Sequence, residues 1–338
     1  MKRFSFFLVA SVLILSCVFI SSCNYKSHKK DAPKELKIAF ASFGPDAGAD
    51  MAIQGYLSDL KENGFVLGKN LEIIKISAGG DAGNIPRMLR NADIKGYDFI
   101  VPLSTPCLSA AISSIKKTKI VFCYVYDPIL AGAGRSFRNH LPNITGIGSL
   151  PPVEETIDFI KRIFPRARRI GFIYNPNEAN SRKVISLSKG SLADNEMGLV
   201  TATINDTGEI GDVTRSLLKK GIDVLWVSGD NTALQGFTQI SEATEKAKVP
   251  IITNNPEYVH QGALAAIGVG WFQAGEAASR LSVRIIKGEN PKDIPFENVA
   301  VKRVVLNKEL ARQMRIKFPQ SVLQEAELSK KYSLGILK

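Results

Sequence analysis

Cysteine, histidine and recognisable catalytic motifs are what this sequence has least of. Of its four cysteines, Cys17 and Cys23 fall in the first 25 residues, which leaves Cys107 and Cys123 for the body of the chain and excludes a disulfide-built scaffold. Both sit in apolar β/α segments, so two buried thiols are expected in preference to a bridge. Of the three histidines, His28 lies in a polar basic stretch, and His140 and His260 are too few for a histidine-based metal site. No G-x-S-x-G elbow is present. GFVLGKN (64–70) is one residue short of a phosphate loop and ends in Asn70 where Ser or Thr is needed, so it reads as a turn before a strand. GVGWFQ (268–273) has two glycines of a dinucleotide fingerprint and Gln273 in place of the third. These absences predict no enzyme, no metal and no cofactor. Beyond residue 20 there is no apolar run of spanning length.

What is present begins at the N-terminus. Lys2 and Arg3 precede an apolar run, 4–20, which ends in ISSC (20–23). Positive start, apolar middle and small residues before a processing site make a secretory leader. Ile20, Ser21, Ser22 and Cys23 resemble a lipobox, which implies cleavage before Cys23 and acylation of that residue. Cys17 is a poorer second site, because Leu15 is bulky. The leader is therefore 1–22, and 23–35, polar and basic with one proline, is a lipidated flexible tether. The expected location is extracytoplasmic, at a membrane held by the lipid.

The formal net charge is +12. The cations are dispersed, as in KRIFPRARR (161–169), and not interleaved with aromatics on one motif. That pattern excludes nucleic acid as the expected partner and suits a solvated face near anionic lipid.

From Leu36 onward, short β-rich apolar runs alternate with amphipathic helical runs. The strands are expected at 36–42, 71–77, 99–104, 119–125, 143–149, 168–175, 200–204, 223–229, 249–254, 263–269 and 299–306. Helices are expected at 51–64, 151–164 and 274–288 among others, with two more at about 308–315 and 319–332. Continuous apolar strands separated by helices predict parallel sheets covered on both faces. The number of strands exceeds one ordinary sheet, and the rhythm restarts at Pro151–Pro152. The fold class is therefore α/β, with two doubly wound parallel-sheet lobes and a ligand cleft between them. An eight-fold β/α barrel fits less well, because 127–142 carries no helix.

In such folds, polar residues in the loops after strands face the crevice. LSTPCLSAA (103–111) ends a strand and opens a helix, with Ser104 or Thr105 at the cap and Pro106 in the first turn. Its backbone N–H groups suit a carboxylate or other anion. Asp127 follows the strand of YVYDP. YNPNEANS (174–181) crowds Asn175, Glu178, Asn180 and Ser181 into one turn, with Asn177 as the expected helix cap. Asp230 and Asn231 follow another strand, Asn254 the next, and Gly270 the last of the series.

The ordered motifs SLPPVEET (149–156), YNPNEANS, GDN (229–231) and RIIKGENPKDIPFE (284–297) resemble ABC-transporter solute-binding proteins of the tryptophan/tyrosine type. So does the opening G-Y-x-x-x-L-K-E-N-G (55–64) followed by GKNLEI (68–73). The resemblance runs from about Leu36 to Phe318. It implies a type I periplasmic-binding fold, with two lobes joined by three crossovers that trap a ligand by hinge closure. Lobe 1 would be 36–148 completed by about 271–297, and lobe 2 would be 149–270 completed by about 298–338. It also implies a small-molecule solute, with an aromatic amino acid as the first expectation, and partnership with an ABC permease and its ATPase. Thr105 and Pro106 match the family's carboxylate-binding turn. Asp127, Asn175, Glu178, Asn180, Ser181, Asp230 and Asn231 match polar cleft positions. One departure stands out: many relatives carry aspartate where this chain has Gly270, followed by Trp271, which removes a partner for a ligand ammonium. A sensing lipoprotein receptor of the same fold is the alternative reading.

Overall fold

The structure, a computed structural model, describes residues 35–333. The leader, Cys17, Cys23 and nearly all of the tether lie outside the described residues. Strands β1 (Leu36–Ser42), β2 (Leu71–Ser77), β3 (Phe99–Leu103), β4 (Lys119–Val125) and β5 (Ile144–Gly148) form one parallel sheet in the order β2-β1-β3-β4-β5. A second sheet runs β7-β6-β8-β9-β10, from β6 (Arg169–Tyr174), β7 (Gly198–Thr203), β8 (Val224–Val227), β9 (Ile251–Thr253) and β10 (Ala265–Val269). Beyond β5 the first sheet gains β11 (Glu297–Asn298), and beyond β10 the second gains β12 (Lys302–Leu306), its one antiparallel strand among the described residues. The chain therefore passes between the sheets three times: after β5, after β10 and between β11 and β12. β3, β5, β8, β9 and β10 are buried along their whole length, which is why they read as unbroken apolar runs.

Helices α1 (Ala47–Glu62), α2 (Ile85–Lys95) and α3 (Thr105–Ser114) belong to the first half of the chain. α4 (Val153–Ile163), α5 (Ala179–Asp194), α6 (Ile210–Lys219), α7 (Asn231–Gln235) and α8 (Phe237–Ala247) follow, then α9 (Trp271–Ile286), α10 (Lys308–Gln313) and α11 (Gln320–Ser333). Two helices start earlier than their apolar periodicity suggests. α1 begins at Ala47 because Asp46 caps it, accepting from Ala49 N–H at 2.7 Å. α9 begins directly after Gly270. One cap is corrected: α5 starts at Ala179 with Glu178 in the cap position and no side-chain cap bond, so Asn177 does not cap it.

Helix α9 returns across the crossover to lie on α1, β4 and β5. The contact with α1 is made through glycine. A Cβ on Gly55 would collide with the Phe272 carbonyl oxygen, and a Cβ on Gly275 with the Ala52 carbonyl oxygen. Tyr56 and Ser282 hydrogen-bond across the same seam. Cys107 and Cys123 are free and buried in separate apolar clusters, and burial pushes both thiols up to about 12.

Gly275→Ala is expected to lower unfolding free energy by about 1–3 kcal/mol in urea titration, because backbone must move to admit the methyl. Gly190→Ala, in α5 with open space at its Cβ, should instead be neutral or stabilise by about 0.5–1 kcal/mol.

Candidate functional site

The carboxyl ends of the two parallel sheets face each other, so the segments at the ends of β1 and β4 meet those after β6, β8 and β9. Hydrogen bonds cross this junction. Tyr258 O–H, after β9, donates to Asp46 Oδ2 at 2.8 Å. Asn255 Nδ2 donates to the Tyr124 hydroxyl at 3.0 Å. Gln235 Nε2 donates to the Pro45 carbonyl at 3.0 Å. Lys183 of α5 lies 3.3 Å from Asp127 Oδ2. Tyr124 holds a left-handed backbone (φ 59°), which turns its ring edge-on to Trp271 at 4.4 Å between centroids. The Tyr126 hydroxyl reaches the backbone of Gly229, where a Cβ would collide with it.

The polar cluster of the second sheet is spent mostly on itself. Glu178 Oε1 accepts from Thr232 N–H and Oγ1 at 2.8 Å each. Its Oε2 accepts from Asn231 N–H (2.8 Å), Asn231 Nδ2 (2.6 Å) and Asn180 Nδ2 (3.0 Å). Asp230 caps α7 through Ala233 N–H at 2.8 Å, and its other oxygen accepts from Asn175 N–H (2.7 Å) and Ser181 Oγ (2.6 Å). Asn175 donates to Thr232 Oγ1 at 3.1 Å and accepts from Asn177 N–H at 2.9 Å. Glu178 thus has both oxygens filled from within the chain. Asn254 faces the core and is held by Trp226 Nε1 (2.8 Å), Thr156 Oγ1 (2.9 Å) and the Ile267 carbonyl (2.8 Å). Its neighbour Asn255 is the one that faces the junction.

On the first sheet, Ser104 caps α3, accepting from Cys107 N–H at 3.2 Å, and Thr105 Oγ1 accepts from Tyr126 N–H at 3.3 Å. Pro106 sits in the first turn of that helix. Asp127 Oδ1 accepts from Ile129 and Leu130 N–H at 2.9 and 3.0 Å, so this carboxylate closes its own turn and pairs with Lys183. Gly270 donates its N–H to Val301 O at 2.8 Å, which ties two crossovers together.

Ten buried side-chain polar atoms among the described residues lack a hydrogen-bond partner, and six of them lie at this junction. They are Ser149 Oγ, Asn180 Oδ1, Asn255 Oδ1 and Trp271 Nε1, with Tyr126 Oη and Ser228 Oγ, which neighbour one another. Buried polar atoms are ordinarily paired, so their concentration here marks the place where a polar solute would find donors and acceptors. Of the twelve positions read from sequence, only Asn180 is among the six. Tyr126, Ser228, Asn255 and Trp271 lie in or beside loops that the sequence singles out, but serine and aromatic residues at strand ends look like ordinary core and turn residues, and nothing separates Asn255 from Asn254.

Burial pushes the Asp46 carboxyl above the usual carboxylate range, and hydrogen bonds from Ala49, Tyr124 and Tyr258 offset this only in part. Burial, then the neighbouring Glu178, pushes Asp230 well above that range.

Fold and site together define a two-lobed binding protein with its site between the lobes. A family model for ABC transporter substrate binding proteins matches residues 37–330, and the chain belongs to that family, whose members are not enzymes. A tyrosine-binding protein of Clostridioides difficile (strain R20291) is 26% identical over 294 residues, 87% of this chain and 85% of that protein. A domain solved in complex with L-Trp, from Streptococcus pneumonia, superposes with a TM-score of 0.80 at 26% identity and covers 86% of this chain and 98% of its own. The ligand-free, open structure of a substrate binding protein from Clostridium difficile, also 26% identical and covering 84% and 96%, superposes less well, with a TM-score of 0.63. The cross-junction hydrogen bonds hold the lobes in a closed arrangement.

Two outcomes follow from the geometry. Glu178→Ala strands several buried donors and should cost roughly 2–4 kcal/mol of stability in thermal or urea unfolding. Asp46 contributes stability that is present below the ordinary carboxylate pKa and is lost as pH rises through its raised value. Asp46→Asn, which keeps the cap, should therefore gain melting temperature relative to the parent from about pH 4 to pH 7. The reverse trend contradicts the assignment.

Proposed function

We propose that this substrate-binding protein works outside the cytoplasm, held to a membrane by a lipid on Cys23, and delivers an aromatic amino acid to an ABC permease and its ATPase. The observation that carries the reading is the set of six buried polar atoms, without a hydrogen bond of good geometry, at the loops of the junction, beside the Tyr124–Trp271 pair of the first lobe. Tyr126 and Trp271 offer O–H and N–H donors beside ring faces, Asn180 and Asn255 offer amide oxygens for an ammonium, and Ser149 and Ser228 offer hydroxyls. The turn at Ser104, Thr105 and Pro106 is the proposed carboxylate contact, from a helix N-terminus. Gly270 brings no carboxylate to the ammonium, so amide oxygens take that role. The named ligands of the two relatives, tyrosine and L-Trp, point to the same solute class. No helix of the described residues is long and apolar enough to cross a membrane, which fits attachment by a lipid. The family is one of transport components, which does not favour the sensing alternative.

Closure follows from differential contact. A solute bonded to Tyr126 on one lobe and to Asn180, Ser228 or Asn255 on the other binds the closed form more tightly than the open one and shifts the hinge accordingly. Glu178, Asp230, Asn175 and Ser181 serve by fixing the loop that presents Asn180 and Asn231.

Titration calorimetry of the mature protein with L-tryptophan and L-tyrosine tests this. Tyr126→Phe removes the hydroxyl that lies against Ser228 and Gly229, and Ser228→Ala removes the hydroxyl beside it. They should cost no more than about 1 kcal/mol of unfolding free energy while weakening solute binding about tenfold. If neither amino acid binds, and mass spectrometry of solute retained through purification identifies another chemical class, the aromatic assignment is overturned.

A further inference from the structure

The end of the first sheet opposite the junction carries a second feature. The loops that enter β2, β3 and β4 lie side by side there, because β2, β1, β3 and β4 are neighbours in that order. They are stitched together: Leu36 N–H donates to Asn70 O at 2.9 Å and Asp98 N–H to Lys37 O at 2.9 Å. The Asp93 carboxylate accepts from the N–H groups of Lys116 (2.9 Å), Lys117 (3.2 Å) and Thr118 (2.9 Å). On this fixed platform stand three bare apolar side chains: Ile94 at 83% exposure, Leu67 at 58% and Val66 at 39%. Ile94 exceeds every other exposed large hydrophobic residue among those described. Around them Lys69, Lys95, Lys116, Lys117 and Lys119 are exposed, and none forms an ion pair among the described residues. Acidic groups share this end: Asp93 as above, Asp98, which accepts from Lys37 N–H at 2.9 Å, Glu72, paired with Lys37 Nζ at 2.5 Å, and Glu35 and Glu62 at the ends of the segments that enter β1 and leave α1.

We propose that this end of the lobe lies on an anionic bilayer, with the lysines among the headgroups and Ile94, Leu67 and Val66 in the interface. Isolated apolar tips ringed by unpaired lysines suit a lipid surface, where each apolar side chain leaves water and each cation meets negative potential. The chain enters the lobe at Leu36, on this same end, so a lipid on Cys23 holds it nearest the bilayer. In that respect the proposal rests on the anchoring stated above. The solute junction lies at the opposite end of the sheet, so this is a resting pose that the protein leaves when it docks on the permease.

The test uses the mature chain from residue 23 with Cys23→Ser, so that binding is read without the lipid. Asn91→Cys, one helical turn from Ile94, carries an environment-sensitive fluorophore; the buried Cys107 and Cys123 stay unlabelled. Vesicles of phosphatidylcholine with phosphatidylglycerol should shift its emission to the blue and shield it from iodide, and vesicles of phosphatidylcholine alone or high salt should not. Lys116→Gln with Lys117→Gln should lower the partition coefficient roughly 25-fold. Ile94→Ser should lower it further, and Lys246→Gln with Lys248→Gln on the other lobe should leave it unchanged. A fluorophore that stays aqueous at every concentration of the anionic vesicles overturns the proposal. If that result comes with a loss of solute uptake in cells carrying the lysine variants, the surface belongs to a protein partner instead. Acylation of Cys23 is read separately, by mass spectrometry of the membrane-extracted protein, so either reading can fail alone.

Discussion

Asp46 and Tyr124 on one lobe meet Tyr258 and Asn255 on the other through hydrogen bonds in a buried junction, and the rest of the site is arranged around that meeting. Each lobe ends its strands in loops full of polar groups. Alone, each loop set could be satisfied by water. Brought together, the loops lose that water, and every donor or acceptor must find a partner on its own lobe, on the opposite lobe or on a solute. The second lobe solves this locally around Glu178 and Asp230. The first lobe offers its tyrosines across the gap. What is left over, from Tyr126 to Trp271, is the recognition surface.

This division of labour explains why the most conspicuous polar residues are not the ones left open. Two buried carboxylates would be costly without donors, and Glu178 and Asp230 collect theirs from the backbone and side chains around α7. They build a rigid wall. The residues left to contact a solute are weaker hydrogen-bonding groups, hydroxyls, amides and an indole N–H, that suit a neutral or zwitterionic molecule with an aromatic part.

The fold was legible because its strands are buried on both faces and its helices are amphipathic. Those two periodicities separate cleanly in runs such as KIVFCYV (119–125) and VEETIDFIKRI (153–163). Helix starts were less so. Asp46 draws α1 back to Ala47, ahead of the first clear apolar repeat, and a single side-chain bond leaves little trace in composition. The site was legible at the level of loops and not of atoms. Asn254 and Asn255 are adjacent, and strand parity sends one into the core and the other into the junction. Tyr124 and Trp271 look like core aromatics; only the left-handed backbone at Tyr124 brings the two rings together, and that conformation has no sequence signature outside glycine and asparagine.

The central claim is that the two lobes close on a solute held between Tyr126 on one side and Asn180, Ser228 and Asn255 on the other. Small-angle X-ray scattering of the mature protein, with and without saturating L-tryptophan or L-tyrosine, tests it most directly. The account predicts a smaller radius of gyration with solute and a curve that matches the closed arrangement described here. An unchanged curve under conditions where calorimetry reports binding would contradict it.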